Sequence, residues 1–262
     1  MVLRFITRPR VVLSWSVVVV LCAVLSPLIV YGSEGSYGLP FPAALYTLLL
    51  RKSPLTLLFT LAVALPYALP FSDLLRNRFV TYTRTRQSLR RTLAGHWAAN
   101  ATATFVTGFL IGLVPYLWVV AGDVKYAPEM YGLDTPAAVA EGELAWSTFT
   151  QLLSHGQWAL PLAVSGWLGL NAVVWSSLAM CTVTLVRNRA LSLSLPWVAW
   201  FAIMYVMAVL GLEAYSPNLI FPFNLEQMPL ANLAVPLAGG TVVAACLTAW
   251  VFFRAPTLPG LQ

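Results

Sequence analysis

The sequence predicts an all-α integral membrane protein, and three observations support that fold class. Hydrophobic residues make up 59% of the 262 residues and charged residues only 9%, whereas a soluble domain carries about 25% charge. The apolar residues fall into six long uncharged runs, each near the roughly 20 residues that a spanning helix needs. Because these runs lack the alternation of a barrel strand, helices are the predicted spanning form.

Residues 1–262 are predicted to form a single transmembrane domain. The six predicted spans cover approximately residues 11–31, 55–72, 97–121, 158–186, 195–212 and 229–253. The first run follows three arginines, as in a secretory signal, but it exceeds the usual 7–15 residues of a signal core, so a retained helix is predicted. Pro66 and Pro70 predict a kink near the end of the second span.

Three further stretches are predicted to enter the membrane without spanning it. Residues 41–54 are too short to cross before Arg51 and Lys52, and residues 144–160 are uncharged but rich in polar side chains. Both are predicted to be interfacial or re-entrant helices, and the alternative that one of them crosses stays open. Residues 216–229 contain three prolines and are predicted to form a hairpin that dips into the outer leaflet.

The distribution of charge sets the predicted orientation. Lysine and arginine favour the cytoplasmic side of short loops. If both termini are cytoplasmic, twelve of the fifteen basic residues face inward and eight of the nine acidic residues face outward, with Asp73 as the exception. We therefore predict a multi-pass protein of the cell membrane with cytoplasmic N- and C-termini.

The motifs of several enzyme classes are missing from the sequence. It contains no P-loop, no H-E-x-x-H and no G-x-S-x-G, so we expect no catalytic residue, no cofactor and no enzyme activity in this chain alone. Cys22, Cys181 and Cys246 lie singly in apolar runs and are interpreted as small apolar fillers, and no metal site is predicted. His96 and His155 are predicted as interfacial polar residues at opposite membrane faces. The absence of acidic residues within the spans disfavours an ion-coupled carrier.

The segment between the second and third spans concentrates the positive charge of the chain. Residues 76–92 hold six arginines and no acidic residue. Four residues share one helical stripe: Tyr82, Leu89, Leu93 and Trp97. Four polar residues share a second stripe: Arg84, Gln87, Ser88 and Arg91. The pattern predicts an amphipathic cytoplasmic helix within residues 73–96. A topology signal that contacts phospholipid is the alternative, and nucleic-acid binding is disfavoured because no wider basic domain is present.

Gly108 and Gly112 form a G-x-x-x-G pattern within the third predicted span. This spacing lets two helices approach closely in a membrane. The pattern predicts packing within one subunit, and a seam between two subunits is the alternative.

Residues 57–105 resemble the corresponding region of ABC-transporter permeases of the type-2 exporter kind. In that family a span ends near a carboxylate, a cytoplasmic coupling helix follows, and a basic element leads into the third span. Asp73 and the stretch 84–88 match these features. The order of elements along the chain is also similar, including a re-entrant hairpin at 213–229, whereas Leu74 and Arg76 depart from the family pattern.

The resemblance implies the permease subunit of an ATP-driven exporter. Two permease subunits, identical or homologous, would bind a dimer of cytoplasmic ATPases that carries the ATP, within the membrane lipid. The residues expected to contact the ATPase are Arg84, Arg86, Gln87, Ser88 and Arg91. The scarcity of charge in the spans favours an amphipathic or lipophilic substrate, such as a peptide antibiotic, a drug or a lipid. A non-transporting membrane scaffold or immunity protein is the alternative.

Overall fold

The computed structural model describes residues 46–47, 49–51, 53, 55–76, 88–126, 148–186, 188–221 and 229–255. These residues form helices and turns, with no strand among them. We number the α-helices as α1 Leu55–Ala64, α2 Ala68–Arg76, α3 Leu89–Tyr126, α4 Ala159–Leu185, α5 Arg189–Val209 and α6 Leu230–Arg254. Short 3-10 helices cover Thr150–His155, Glu213–Tyr215 and Pro217–Ile220.

Five helices are long and apolar enough to cross a membrane: Leu55–Arg76 (α1 with α2), Leu89–Ala121 (most of α3), α4, α5 and α6. They coincide with the second to sixth predicted spans, and the chain is therefore a multi-pass helical membrane protein. The first predicted span, at residues 11–31, lies outside the described residues, as do both termini. The count of six spans stays a prediction.

The helix that crosses at Leu55–Arg76 is interrupted where its prolines lie. Proline has no N–H to donate and its ring crowds the preceding turn. Accordingly α1 ends at Ala64, Pro66 sits in a turn, and α2 begins at Ala68. Pro70 falls in the first turn of α2, where a missing N–H costs little. The predicted kink is present as this break.

Helix α4 is the centre of the bundle and packs against each of the other numbered helices. In the apolar 18-residue stretch of α4, 67% is buried inside the protein, against 22% in the corresponding stretch of α5 and 11% in that of α6. Its contact with α3 is close because small residues line it: Gly108 and Gly112 of α3 lie against Ser165 and Gly169 of α4. The last two helices therefore lie at the edge of the described bundle.

Side-chain contacts place five helix termini at one end of the bundle. They are the ends of α2, α4 and α6 and the starts of α3 and α5. An ion pair joins α2 to the start of α5, and Trp97 near the start of α3 contacts Phe252 near the end of α6. A hydroxyl near the end of α4, on Thr182, donates to a carbonyl in the first turn of α5. We call this the arginine end, because Arg76, Arg90, Arg91 and Arg254 are exposed there and Arg189 is partly exposed.

Short segments close the other end of the bundle, which we call the capped end. Tyr46 packs its ring against Tyr116 of α3 with centroids 5.5 Å apart. Phe59 of α1 packs against Phe221 at 5.4 Å. The described parts of the two stretches predicted as interfacial or re-entrant lie here: residues 46–47, 49–51 and 53 of the first, and residues 148–160 of the second, whose last two residues begin α4. Neither stretch is itself among the five helices able to cross.

Helix α5 ends three residues earlier than predicted, at Val209 rather than at 212. Gly211 adopts a φ of 68°, a left-handed conformation that glycine accepts without strain. The amide of Leu212 then donates to the carbonyl of Met207 at 2.8 Å, which closes the helix as C-terminal glycine motifs do. Residues 213–221 continue as two 3-10 turns, and residues 222–228 of the predicted hairpin lie outside the described residues.

Candidate functional site

Two of the residues predicted to contact a partner, Ser88 and Arg91, lie at the arginine end. Arg84, Arg86 and Gln87 lie outside the described residues. Ser88 and Arg91 are exposed at the start of α3. The Ser88 carbonyl accepts the Thr92 amide at 3.2 Å, so helical geometry begins at this serine. These two side chains are accessible to another molecule.

The beginning of α3 separates apolar from charged side chains. Leu93 is buried, Leu89 and Trp97 are partly buried, and all three belong to one packed cluster. Arg90 and Arg91 belong to the same two turns, and both are exposed. From Leu89 onward the helix runs without interruption through the span, so this part of the predicted amphipathic segment continues the spanning helix. The stretch 77–87 lies outside the described residues.

An ion pair joins the two helices that flank this end. A guanidinium nitrogen of Arg189 lies 3.0 Å from a carboxylate oxygen of Asp73, with the two side chains 38% and 35% exposed. Arg189 opens α5, next to Asn188, whose side chain caps the helix by accepting the Leu191 amide. The sequence contains no aspartate or glutamate between Asp73 and Asp123. Asp73 is therefore the one described carboxylate at the arginine end.

A buried polar pair lies at the break between α1 and α2. The hydroxyl of Tyr67 and Nδ1 of His96 are 2.9 Å apart and share a hydrogen bond. Both side chains are buried, and the ring of Phe71 lies 5.1 Å from the imidazole. His96, predicted as an interfacial polar residue, is buried on α3 against Phe71 of α2, and its depth in the membrane stays a prediction. The unwound turn that carries Tyr67 brings the hydroxyl within reach of α3.

A second polar pair joins α3 to α4, one turn further along α3. Ser176 donates its hydroxyl hydrogen to Oδ1 of Asn100 at 2.7 Å. Both residues are fully buried. The Nδ2 group of Asn100 has no hydrogen-bond partner within the described part of the chain. An unmatched buried donor of this kind costs about 1–3 kcal/mol, which marks Asn100 as a residue that packing alone does not explain.

Two further contacts tie α6 and α5 to the centre. The indole of Trp97 donates to the hydroxyl of Thr248 at 3.2 Å, and the Cys181 sulfur lies 3.6 Å from the same oxygen. Thr182 donates to the carbonyl of Ser192 at 2.6 Å. Together with the pairs above, these contacts link α2, α3, α4, α5 and α6 near one end. Interhelical hydrogen bonds in a membrane are worth about 0.6 kcal/mol each on average, so their number matters more than any single one.

The glycines predicted to mediate packing face α4 of the same chain. A Cβ atom at Gly108 would lie 2.6 Å from the Cβ of Ala172 and 2.6 Å from the carbonyl oxygen of Leu168. A Cβ atom at Gly112 would lie 2.8 Å from the Cα of Ser165. At these two positions the close approach is between two helices of one subunit.

Sequence reasoning singled out Asp73 and the exposed polar residues but missed the buried ones. Tyr67, Asn100 and Ser176 received no role, although an asparagine inside an otherwise apolar span is a detectable signal. Within the ranges that the structure describes, no group of three His, Cys, Asp or Glu side chains could hold a metal ion.

The fold and these contacts define a class: a multi-pass helical membrane protein in which an ion pair and several polar side-chain contacts join the helices towards an arginine-rich end. Comparison of the chain with protein-family models, with curated proteins and with solved structures gives no match. The functional argument therefore rests on the sequence and on the geometry of this end.

Proposed function

We propose that this chain is the transmembrane permease subunit of an ATP-driven ABC exporter. One observation supports the proposal above the others. The helices that flank the arginine-rich segment, α2 and α3, are joined by polar contacts at the arginine end to α4, α5 and α6. A force applied to the segment between Arg76 and Ser88 would thus reach every described spanning helix.

In this proposal the arginine end faces the cytoplasm. The positive-inside preference supports that orientation, because Arg76, Arg90, Arg91, Arg189 and Arg254 lie at this end. The chain then has six spans in the cell membrane, both termini inside, a coupling helix within residues 73–96 and a re-entrant hairpin between α5 and α6. Of the described basic side chains, Arg51 lies at the capped end.

The proposed cycle assigns the chemistry to a partner. Two ATPase subunits bind and hydrolyse ATP, and the coupling helices of two permease subunits carry their motion into the membrane. The residues that dock on the ATPase are Arg84, Arg86, Gln87, Ser88 and Arg91. An amphipathic or lipophilic substrate then leaves between the two permease halves, since the spans offer apolar walls with little charge.

The test keeps the positive charge and removes the arginine geometry. Arg84→Lys with Arg86→Lys retains the charge that orients the loop but loses the planar guanidinium that grips a carboxylate at two points. Losing such charge-assisted contacts, at about 1.5–3 kcal/mol each, lowers ATPase co-purification by tens of times or more. Arg51→Lys, an exposed arginine at the capped end, is the matched control and leaves co-purification unchanged.

Two results would contradict the proposal. The first is a double lysine variant that binds its ATPase and exports as the parent does, together with a Gln87→Ala, Ser88→Ala variant that also binds and exports normally. These residues would then form a topology signal only. If no ATPase co-purifies with the parent chain, a non-transporting scaffold or immunity protein becomes the better assignment. A preparation that holds this chain alone, verified by mass spectrometry, is expected to show no ATP turnover, because the sequence has no P-loop.

A further inference from the structure

The buried side chains of the bundle form two clusters, and prolines lie in the chain where these clusters meet. One cluster lies at the capped end and includes Phe59 of α1 and Trp200 of α5. The other lies at the arginine end and includes Phe71 of α2 and Leu193 of α5. The break between α1 and α2 falls at this boundary, and Pro196 lies between the two α5 residues, inside the helix. In both places a short piece at the arginine end is set off from the rest of its span.

The piece of α5 before its proline is residues 189–195, which we call the arm. Because Pro196 has no N–H, the carbonyl of Ser192, four residues earlier, loses its usual helical partner. The hydroxyl of Thr182 on α4 donates to that carbonyl instead, at 2.6 Å. Ser192 is buried, so without this donor its carbonyl would be an unmatched polar group away from water. The threonine therefore supplies the bond that the proline removes.

The hydroxyl of Thr182 has two carbonyl acceptors within reach and a single hydrogen to donate. Besides the Ser192 carbonyl of the arm, the Ala179 carbonyl of its own helix lies 2.9 Å away. A turn of the hydroxyl towards Ala179 satisfies the threonine without any help from α5. Release of the arm from this contact thus leaves one group, the Ser192 carbonyl, to find another donor.

The two parts of α5 are held by different neighbours. The arm is joined to α2 by the partly solvated ion pair of Arg189 and Asp73. Beyond the proline, the indole of Trp197 donates to the Leu57 carbonyl of α1 at 2.8 Å, and that of Trp200 donates to a carbonyl of a 3-10 turn at 3.2 Å. The arm is therefore tied to helices at the arginine end, whereas the rest of α5 is tied towards the capped end.

We propose that Pro196 and Thr182 form a releasable hinge in α5. In the state that the structure shows, the Thr182 hydroxyl holds the arm on α4. In the released state the hydroxyl turns to Ala179, and the arm swings about Pro196 together with α2, to which the pair of Asp73 and Arg189 joins it. This inference is independent of the proposed transport function, because it concerns only how these helices are attached.

The experiment follows the arm by double electron–electron resonance in lipid nanodiscs. Nitroxides are attached at Leu191→Cys in the arm and at Ala98→Cys on α3, both exposed positions, in a background without the native cysteines. A second label pair, Val206→Cys with Ala98→Cys, reports on the part of α5 beyond the proline. The parent is expected to show one main distance and a minor displaced one for the arm pair, and a single distance for the Val206 pair.

Removal of the threonine hydroxyl should release the arm. Thr182→Val should raise the displaced fraction about fivefold, the effect of one hydrogen bond, whereas Thr182→Ser keeps the hydroxyl and should match the parent. In a Pro196→Ala background residue 196 regains an N–H for the Ser192 carbonyl, so Thr182→Val should leave the fraction almost unchanged there. Thr184→Val is the matched control, because the Thr184 hydroxyl donates to a carbonyl within α4 at 2.7 Å.

Four results would overturn the proposal. The first two are an unchanged displaced fraction in Thr182→Val and an equal rise in Thr184→Val. The third is a rise of the same size when Thr182→Val is combined with Pro196→Ala, since the threonine would then not act through the freed carbonyl. The fourth is a shift of the Val206 pair as large as that of the arm pair, which would show that Pro196 is not the hinge. If Thr182→Val does not accumulate, Pro196→Ala alone decides, and a displaced fraction no lower than that of the parent would refute the hinge.

Discussion

Replacing Gly108 with alanine tests the contact at the centre of the bundle. The added Cβ would lie 2.6 Å from both the Ala172 Cβ and the Leu168 carbonyl oxygen. Neither neighbour is the end of a flexible side chain, so neither can rotate away. Helix α3 and helix α4 must separate to restore ordinary contact. Gly166, also inside α4, is the matched position, because a Cβ there meets nothing within 4 Å.

The comparison isolates the cost of the clash. Both changes replace a helical glycine by alanine, so both gain about 0.8–1 kcal/mol of helix propensity. Only Gly108→Ala has to move apart two helices that approach within contact distance. Overpacking of this kind costs about 1–3 kcal/mol. Gly108→Ala should therefore be about 1–3 kcal/mol less stable than Gly166→Ala, and Gly166→Ala should be slightly more stable than the parent.

The assay is reversible unfolding of the purified chain in mixed micelles with increasing SDS, followed by far-ultraviolet circular dichroism and tryptophan fluorescence. The difference between the two alanine variants gives the packing cost directly. If Gly108→Ala unfolds at the same SDS fraction as Gly166→Ala, the tight approach of α3 and α4 is wrong. If Gly108→Ala instead changes the subunit stoichiometry without changing monomer stability, the glycines form a seam between subunits.

Three further predictions follow from other parts of the molecule. Asp73→Asn removes a partly solvated ion pair and should cost no more than about 1 kcal/mol in the same unfolding assay; a loss above 2 kcal/mol would show that the Arg189 charge is left buried. Burial raises the pKa of Tyr46. The folded state therefore holds the phenol proton more tightly, so stability should be constant below the unfolded pKa near 10 and fall at higher pH, less steeply in Tyr46→Phe. For topology, a membrane-impermeant thiol reagent applied to intact cells should label Asp134→Cys and miss Arg84→Cys in a cysteine-free background, and labelling of both would refute the orientation.

The spanning helices were predictable because composition decides them. Runs of about 20 apolar residues without charge have few alternatives to a membrane helix, and five of the six predicted runs are helices of that length in the structure. The ends were less predictable. Helix α3 begins at Leu89 rather than near 97, because exposed arginines are tolerated in a helix that extends beyond the membrane. Helix α5 stops at Val209, because Gly211 takes a left-handed conformation.

The polar contacts of the arginine end could not be predicted in the same way. His96 follows a basic segment, so its position along the chain favours the interface. It is buried because α1 and α2 are separated by a turn at Pro66, and this turn presents Tyr67 to α3. The pairing of Asn100 with Ser176 joins residues 76 positions apart. Such contacts depend on which helices are neighbours, and hydropathy alone carries no information about neighbours.

The contacts differ in how readily they can change, and that difference suggests which helices move. The α3–α4 seam brings backbones together at Gly108 and Gly112, and close-packed interfaces deform little. Helix α5 is mostly exposed, and at its start it meets α2 through the partly solvated pair of Asp73 and Arg189, which costs little to break. If a partner drives this protein, we expect α2 and α5 to shift against a fixed α3–α4 unit, with the turn between α1 and α2 as the hinge.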